Sequence, residues 1–365
     1  MKPVYIVSWL FALAVSFVSC DDWLDKTPKD RLYPDVYFKT EDELRLFTNQ
    51  FYNNLVPSAV DIYSESSDLI VKSDLMLEMS GQRIIPDEGN GWNFTALRDI
   101  NFYLQYSHNC TEVNARNRYD GVARFFRAYF YFEKVKRYGD IPWYDKALDS
   151  DDPELYKARD SREFVMQKML EDLDFAIANL PKTKNAYVLT RWTALALKSR
   201  VCLFEGTFRK YHGLEDCEKY LNACVSASET FMNESGYTLY KSGSTPYRDL
   251  FASINLQADE VIFGRDYEAS LSVLHNVQNY ENSTTMGRPG MNKKIVNSYL
   301  MADGSRFTDK AGYETMTFDQ ECQNRDPRLA QTIRTPGYTR IGSTKKEAPN
   351  LAYTLSLIHI SEPTR

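Results

Sequence analysis

The stretch Ala123 to Tyr144, ARFFRAYFYFEKVKRYGDIPWY, decides the fold. With the residues before it, it predicts a helix from about Arg116 to Tyr138. Val122, Phe125, Phe126, Tyr129, Phe130 and Phe132 make a wide apolar stripe at helical spacing. Arg124, Arg127, Lys134 and Arg137 lie mostly opposite, and the basic residues gather toward the carboxyl end, where the helix dipole favours them. Gly139 suits the position just past the last turn, and Pro142 forbids continuation. The aromatic stripe reads as core, and Trp143 as an anchor for the loop that follows.

Further helices flank this one. Thr40-Glu41-Asp42-Glu43 opens one with acids in its first turn, followed by Leu44, Phe47, Phe51 and Leu55 and closed by Pro57. Another runs from Trp92 to about Cys110. Asp160 with Glu163 reads as a capping box for a helix carrying Met166, Met169, Leu170, Leu173, Ile177 and Leu180 up to Pro181. Thr190 caps the next, with Ala194, Leu197, Val201 and Phe204, ending at Gly206. A last long helix spans about Glu215 to Met232, with Tyr220, Leu221, Cys224 and Phe231 inward and Gly236 closing it. Consecutive helices on short loops stack as antiparallel hairpins. The unit Thr190 to Met232 is slightly longer than a tetratricopeptide repeat of about 34 residues. After Gly236 the texture changes. YTLY (237–240) and EVIFGRDY (260–267) alternate like short strands, and 268–350 is rich in Ser, Asn, Gly and Thr. The fold class is therefore mainly α, with helical hairpins and a loop-rich cap holding a few short strands.

Composition agrees with a globular chain. The 365 residues are 43% hydrophobic and 26% charged, with 20 Phe, 25 Tyr and 5 Trp to bury. The net charge of −6 argues against a nucleic-acid partner, because such proteins carry a basic excess. Of six cysteines, the five beyond Cys20 (110, 202, 217, 224 and 322) are too widely spaced for a disulfide framework or a zinc site. Cys202, Cys217 and Cys224 read as buried thiols, with one disulfide as the alternative.

The amino terminus decides the compartment. Lys2 precedes an apolar run, Val4 to Val18, too short for a membrane span of about 20 residues, and Ser19-Cys20 follows it. Residues 1–19 are the signal peptide in this reading. Phe17-Val18-Ser19-Cys20 resembles a bacterial lipobox, which makes Cys20 the acylated first residue of the mature chain and a lipid anchor to the membrane. Asp21 and Asp22 resemble the export signal of surface lipoproteins. At the other end, Leu355 to Arg365 (LSLIHISEPTR) resembles translated sequencing-adapter sequence. Residues 355–365 are thus expected to be a non-native tail on a fragment that lacks its carboxyl portion.

Several blocks together resemble the SusD/RagB family: residues 123–144, AIANLP (176–181), TRWTALALKSRVCLFEG (190–206), YLMADGSRF (299–307), RDPRL (325–329), and Cys20 with DDWLDKTP after it. They occur in the family's order and cover about residues 20–350. The resemblance implies tetratricopeptide-like hairpins at 20–236 and an incomplete ligand-binding cap at 237–354. It also implies a non-catalytic lipoprotein on the cell surface of Bacteroidetes. Such a protein captures an oligosaccharide or peptide ligand and passes it to a TonB-dependent, SusC-like outer-membrane transporter.

Chemistry motifs point the same way. No G-x-S-x-G, H-E-x-x-H or P-loop occurs, and none of the four His, 108, 212, 275 and 359, sits at ligand spacing from another. No catalytic residue, metal or cofactor is expected. The acids at 149–154 lack the glycine of an EF-hand loop and read as a solvated loop. Sugar recognition needs aromatic faces beside amides, Arg and carboxylates. The long loop at 58–91 and the start of the next helix supply these as Arg83, Asp87, Asn90 and Trp92. The cap supplies Tyr280, Asn282 and Arg288. These seven are the candidate ligand residues, Trp92 serving equally as a helix-start core residue. The alternatives to capture are a secreted surface glycoside hydrolase and a helical-repeat adaptor that binds protein.

Overall fold

A computed structural model describes residues 34–57, 70–71, 77–86, 89, 91–275 and 290–339. Cys20, Asp87, Asn90, Tyr280, Asn282 and Arg288, the signal peptide and the 355–365 tail lie outside the described residues. Six long helices form the body: α1 (Glu41–Leu55), α2 (Thr95–Tyr106), α3 (Val113–Tyr138), α4 (Arg162–Asn179), α5 (Arg191–His212) and α6 (Cys217–Glu234). The largest interfaces are α3 on α4 and α5 on α6, with α4 on α5 joining the two pairs and α1 and α2 covering α3. Among the described residues the only ladder is β1 (Ile70–Val71) antiparallel to β2 (Gly290–Met291), with Ile70 opposite Met291. No described helix is long and apolar enough to cross a membrane.

Local chemistry sets the helix ends. Thr40 and Glu43 form a reciprocal capping box at α1, with amide-to-side-chain distances of 3.3 and 3.0 Å. Helix α2 starts at Thr95 and not at Trp92, because the Asn93 side chain accepts the Thr95 amide at 2.8 Å. At α4 the cap is Ser161, one residue after the expected Asp160. Asp160 instead accepts the Trp143 amide at 2.7 Å and pairs with Lys157 at 2.9 Å, so it ties the loop before the helix. Helix α5 runs through Gly206 to Gly213, whose φ of 64° ends it. Gly206 is a point of close approach: a Cβ there would lie 2.7 Å from the Leu221 side chain on α6.

The core is aromatic. Phe38, Phe47, Phe51, Tyr103 and Phe126 meet at 5–6 Å between ring centres, mostly edge to face. The stripe on α3 packs here as expected, with one correction. Arg127 is buried at 7% exposure, not solvated, and forks onto Asp172 of α4 at 2.6 and 2.7 Å. Burial alone would lower the Arg127 pKa, but the hydrogen bonds and charge of Asp172 outweigh it and hold the guanidinium above its usual value. A second charged knot joins α4, α5 and α6. The fully buried Glu205 accepts from Arg162 at 2.6 Å and from Arg209 at 2.8 Å. Arg209 also reaches Glu163, which takes the Lys219 ammonium at 3.1 Å.

Beyond α6 the expected strands at 237–240 and 260–267 are absent. Extended chain there makes one backbone cross-bond, from the Thr238 amide to the Asp259 carbonyl, and the Tyr240 amide donates to the Glu260 carboxylate at 2.6 Å. Its apolar side chains pack on helices instead: Tyr237 stacks on Phe231, and Ile262 packs against Trp192 and Leu195. The blocks 299–307 and 325–329 meet around Arg325, which donates to the carbonyls of Val296, Tyr299 and Glu321 at 2.8–2.9 Å and covers the Phe307 ring at 3.9 Å. All five described cysteines are unbonded. Cys202 is buried, its thiol pushed up to about 12 by desolvation. Cys217 and Cys224 are only half-buried, because α6 buries just Tyr220 and Ala227 fully.

Two consequences can be measured. Asp172→Ala strands the Arg127 charge in the core, and urea unfolding is expected to show a loss of about 3–5 kcal/mol; Arg127→Met combined with Asp172→Leu recovers most of it. Burial raises the Glu163 pKa, but Lys219, Arg209 and Tyr220 outweigh that and hold it below its ordinary 4.5. A depressed carboxyl stabilises the fold above the unfolded pKa and loses that contribution as pH falls through the folded one. The stability gap between wild type and Glu163→Gln should therefore be constant near neutrality and close on acidification below about 4.5, as followed by thermal melts across pH.

Candidate functional site

The loop between α3 and α4, residues 139–161, folds back over the amino end of α2. Asn101 on α2 fastens it: its amide nitrogen donates to the Tyr144 carbonyl at 2.8 Å and to that of Lys146 at 3.3 Å. Its amide oxygen accepts from Arg127 at 3.2 Å, which connects the loop to the buried Arg127–Asp172 pair. Trp143 is buried as expected, stacked on Tyr131 with ring centres 4.2 Å apart. The Tyr131 hydroxyl accepts the Tyr144 amide at 2.6 Å, which fixes where the next side chain emerges.

On the other side stands Trp92. The chain turns at 89–93, where the Trp92 amide donates to the Gly89 carbonyl at 3.0 Å and the Asn93 amide to the Gly91 carbonyl at 2.9 Å. Gly91 has φ of 82°, and a Cβ on it would meet the Tyr138 hydroxyl at 3.3 Å, so the turn needs glycine there. Lys134 also donates to the Gly91 carbonyl, and burial together with Arg137 lowers its pKa. Trp92 sits edge-on to Tyr138 and Phe94, at 4.9 and 5.3 Å, and remains 40% exposed.

Between these walls lies a cavity of about 530 Å³. Trp92, Phe94 and Tyr144 provide aromatic surface, and Leu97, Pro142, Leu148 and Leu155 provide aliphatic surface. Arg98, Lys146, Lys157 and Arg159 bring cations to its lining, with Thr95 and Asn101 as further polar groups. Burial, with Asp160 and Glu154 nearby, holds the Tyr144 phenol above its usual pKa; it is a neutral donor, bonded to the Leu155 carbonyl at 3.3 Å. A smaller cavity of about 330 Å³ lies among Phe125, Tyr129, Leu197 and Phe263 and is largely apolar. No group of three or more His, Cys, Asp or Glu suited to a metal occurs among the described residues.

Of the sequence candidates, Trp92 lines the cavity. Arg83 is exposed on the 81–86 segment and does not line it. Tyr144, Arg159 and Asn101 carry no motif and were not marked by the sequence. The charge density of KALDSDDPELYKARD (146–160) was visible, and its acids prove to be ties: Asp152 caps the short turn Pro153–Tyr156, and Asp149 faces Arg98 at 3.8 Å.

The described residues thus form a stack of tetratricopeptide-like helical hairpins with an aromatic, cation-lined cavity beside α2; a further cavity of about 600 Å³ lies among Lys294, Arg306 and Tyr313. Comparison with known proteins gives the family. A SusD-like model described as "Starch-binding associating with outer membrane" matches residues 80–191, and the SusD family model matches 250–356, together more than half of the chain. The chain belongs to the SusD/RagB family. SusD-like protein P2 of Formosa agariphila is 26% identical over 294 residues, which are 75% of this chain and 55% of that protein. Crystal structures of two Bacteroides fragilis proteins share the fold. One, a SusD-like protein, has a TM-score of 0.65 at 22% identity, with 84% of this chain and 62% of that one covered. The other, a SusD-like carbohydrate-binding protein, has a TM-score of 0.64 at 17% identity with the same coverage. The chain spans about half the length of the curated relatives it matches.

Proposed function

We propose that this protein is a cell-surface lipoprotein that captures oligosaccharides in the cavity between Trp92 and Tyr144. It holds them without cleaving them and delivers them to a TonB-dependent outer-membrane transporter. The observation that carries this reading is Trp92, an indole that a glycine turn keeps 40% exposed beside a cavity of about 530 Å³, enough for two or three sugar rings. Flat aromatic surface against sugar C–H groups, with polar side chains around it for the hydroxyls, is the chemistry such ligands require. The family's description as starch-binding and outer-membrane-associated supports the same reading, as does the carbohydrate-binding Bacteroides fragilis relative.

In this proposal residues 20–236 are the helical region and 237–354 the ligand-binding cap. Asp87, Asn90, Tyr280, Asn282 and Arg288 are further ligand contacts, and Arg83, which does not line the cavity, is reached only by a ligand that extends past it. Cys20 bears the acyl chains, each buried CH₂ of which contributes about 0.8 kcal/mol to anchoring.

Affinity electrophoresis against a panel of polysaccharides is expected to show retardation by at least one. Trp92→Ala and Tyr144→Ala should each weaken it about tenfold, the size of one lost stacking contact of about 1–1.5 kcal/mol. No retardation by any glycan would overturn the capture reading. Metabolic labelling with palmitate should mark the mature protein and fail on Cys20→Ala; an unlabelled wild type would remove the anchor.

A further inference from the structure

The charges on the cavity are lopsided. Four lining residues are cationic, and among the described lining residues none is acidic, in a chain whose net charge is −6. Three of the four are answered by carboxylates set back from the cavity. Lys146 lies 3.3 Å from Glu154, Lys157 lies 2.9 Å from Asp160, and Arg98 lies 3.8 Å from Asp149.

Arg159 differs. Its guanidinium lies over the Trp92 ring, 5.0 Å from the centre, and has no carboxylate or carbonyl partner among the described residues. This cation–π contact satisfies none of its N–H groups with an acceptor, so they stay available to a ligand. The guanidinium fork matches the paired oxygens of a carboxylate or a sulfate. The contact with Trp92 also limits the freedom of Arg159, so less order is lost when an anion binds.

Helix α2 adds to the same field. Thr95 and Leu97 line the cavity, so the positive end of this twelve-residue helix faces it; of its first amides, that of Thr95 is taken by the Asn93 side chain, and Phe94 at the cap offers no further acceptor. Neutral sugars use aromatic surface and hydrogen bonds. Their hydroxyls can accept from a guanidinium, but only an anion also gains the attraction of opposite charges there.

The geometry points to an acidic oligosaccharide as the ligand, one whose sugars carry a carboxylate or a sulfate ester, with the anion on Arg159 and the ring against Trp92 and Tyr144. This rests on the sugar-capture reading and narrows it to a substrate class.

The test uses the full chain in native gels at 0.15 M salt with three polysaccharides: alginate for the carboxylate, dextran sulfate for the sulfate ester and dextran as the neutral probe. Retardation by alginate or dextran sulfate and not by dextran is expected, and which of the two acts identifies the anion. Arg159→Met should weaken that retardation at least tenfold while leaving the thermal melt unchanged, since Arg159 is exposed. Arg159→Lys should fall between, keeping the charge and losing the fork. Retardation by dextran as strong as by the acidic probes, or an Arg159→Met variant that binds them unchanged, overturns the acidic assignment and leaves the capture reading standing. Failure of the three probes and of the wider glycan panel overturns both.

Discussion

The fork between Arg127 and Asp172 is the constraint on which the rest of the structure depends. It is 2–7% exposed, so neither charge has water to fall back on. A buried pair of this kind gives little net stability over a well-packed apolar one, but it penalises every arrangement in which the two groups do not meet. Here the penalty fixes how α3 and α4 lie against each other. The remaining Arg127 donor then reaches Asn101 on α2, and Asn101 holds the carbonyls of Tyr144 and Lys146. One charge pair in the core thus determines where a surface loop runs and where Tyr144 stands. The cavity is built outward from that point.

Aromatic residues do two kinds of work in this chain, and backbone conformation separates them. On α3 the 3.6-residue period turns Phe125, Phe126, Phe130 and Phe132 inward, where they build the core, with Phe125 and Phe126 also bordering the smaller apolar cavity. Trp92 precedes the first turn of α2, in a loop where Gly89 and Gly91 both take positive φ. The turn lies on the end of α3; the indole meets Tyr138 and Phe94 at steep angles, carries Arg159 over its ring and stays 40% exposed. A side chain at Gly91 would press on Tyr138 and push the indole out of place, so the glycine is part of the site as much as the tryptophan is.

Much of the helical layer was legible in the sequence, because periodic apolar stripes and local caps are short-range facts. The acidic start of α1 after Thr40, the Gly139 end of α3 and the Pro181 stop after α4 all read correctly. The errors arose where a residue's role depends on a distant partner. Gly206 looks like a helix end until Leu221 is seen pressed against it. Asp160 looks like a cap until the Trp143 amide claims it. Arg127 looks solvated until Asp172 arrives from 45 residues away. The expected strands alternate properly, but alternation reports only that one face is buried, and here that face packs on helices. The site was less legible still. The loop at 139–161 has no period, and Arg159 and Tyr144 acquire meaning only when Asn101 folds them beside Trp92.

That late assembly explains how an acidic protein can present a positive cavity. Net charge is a sum over the whole surface, whereas a ligand entering a partly enclosed site feels the nearest few groups and the low dielectric around them. In the 146–160 loop five acids outnumber three bases, so composition alone predicts no positive field. Folding sorts them. Asp149, Asp152, Glu154 and Asp160 turn to cap backbone or pair with Lys and Arg behind the rim, while Arg159 is drawn onto the Trp92 ring by cation–π attraction and has no anion among the described residues. An aromatic residue in this position provides surface for a ligand and also holds a charge ready for it. The polarity of the site therefore follows from which acids are spent on structure, a quantity that the fold decides and composition does not contain.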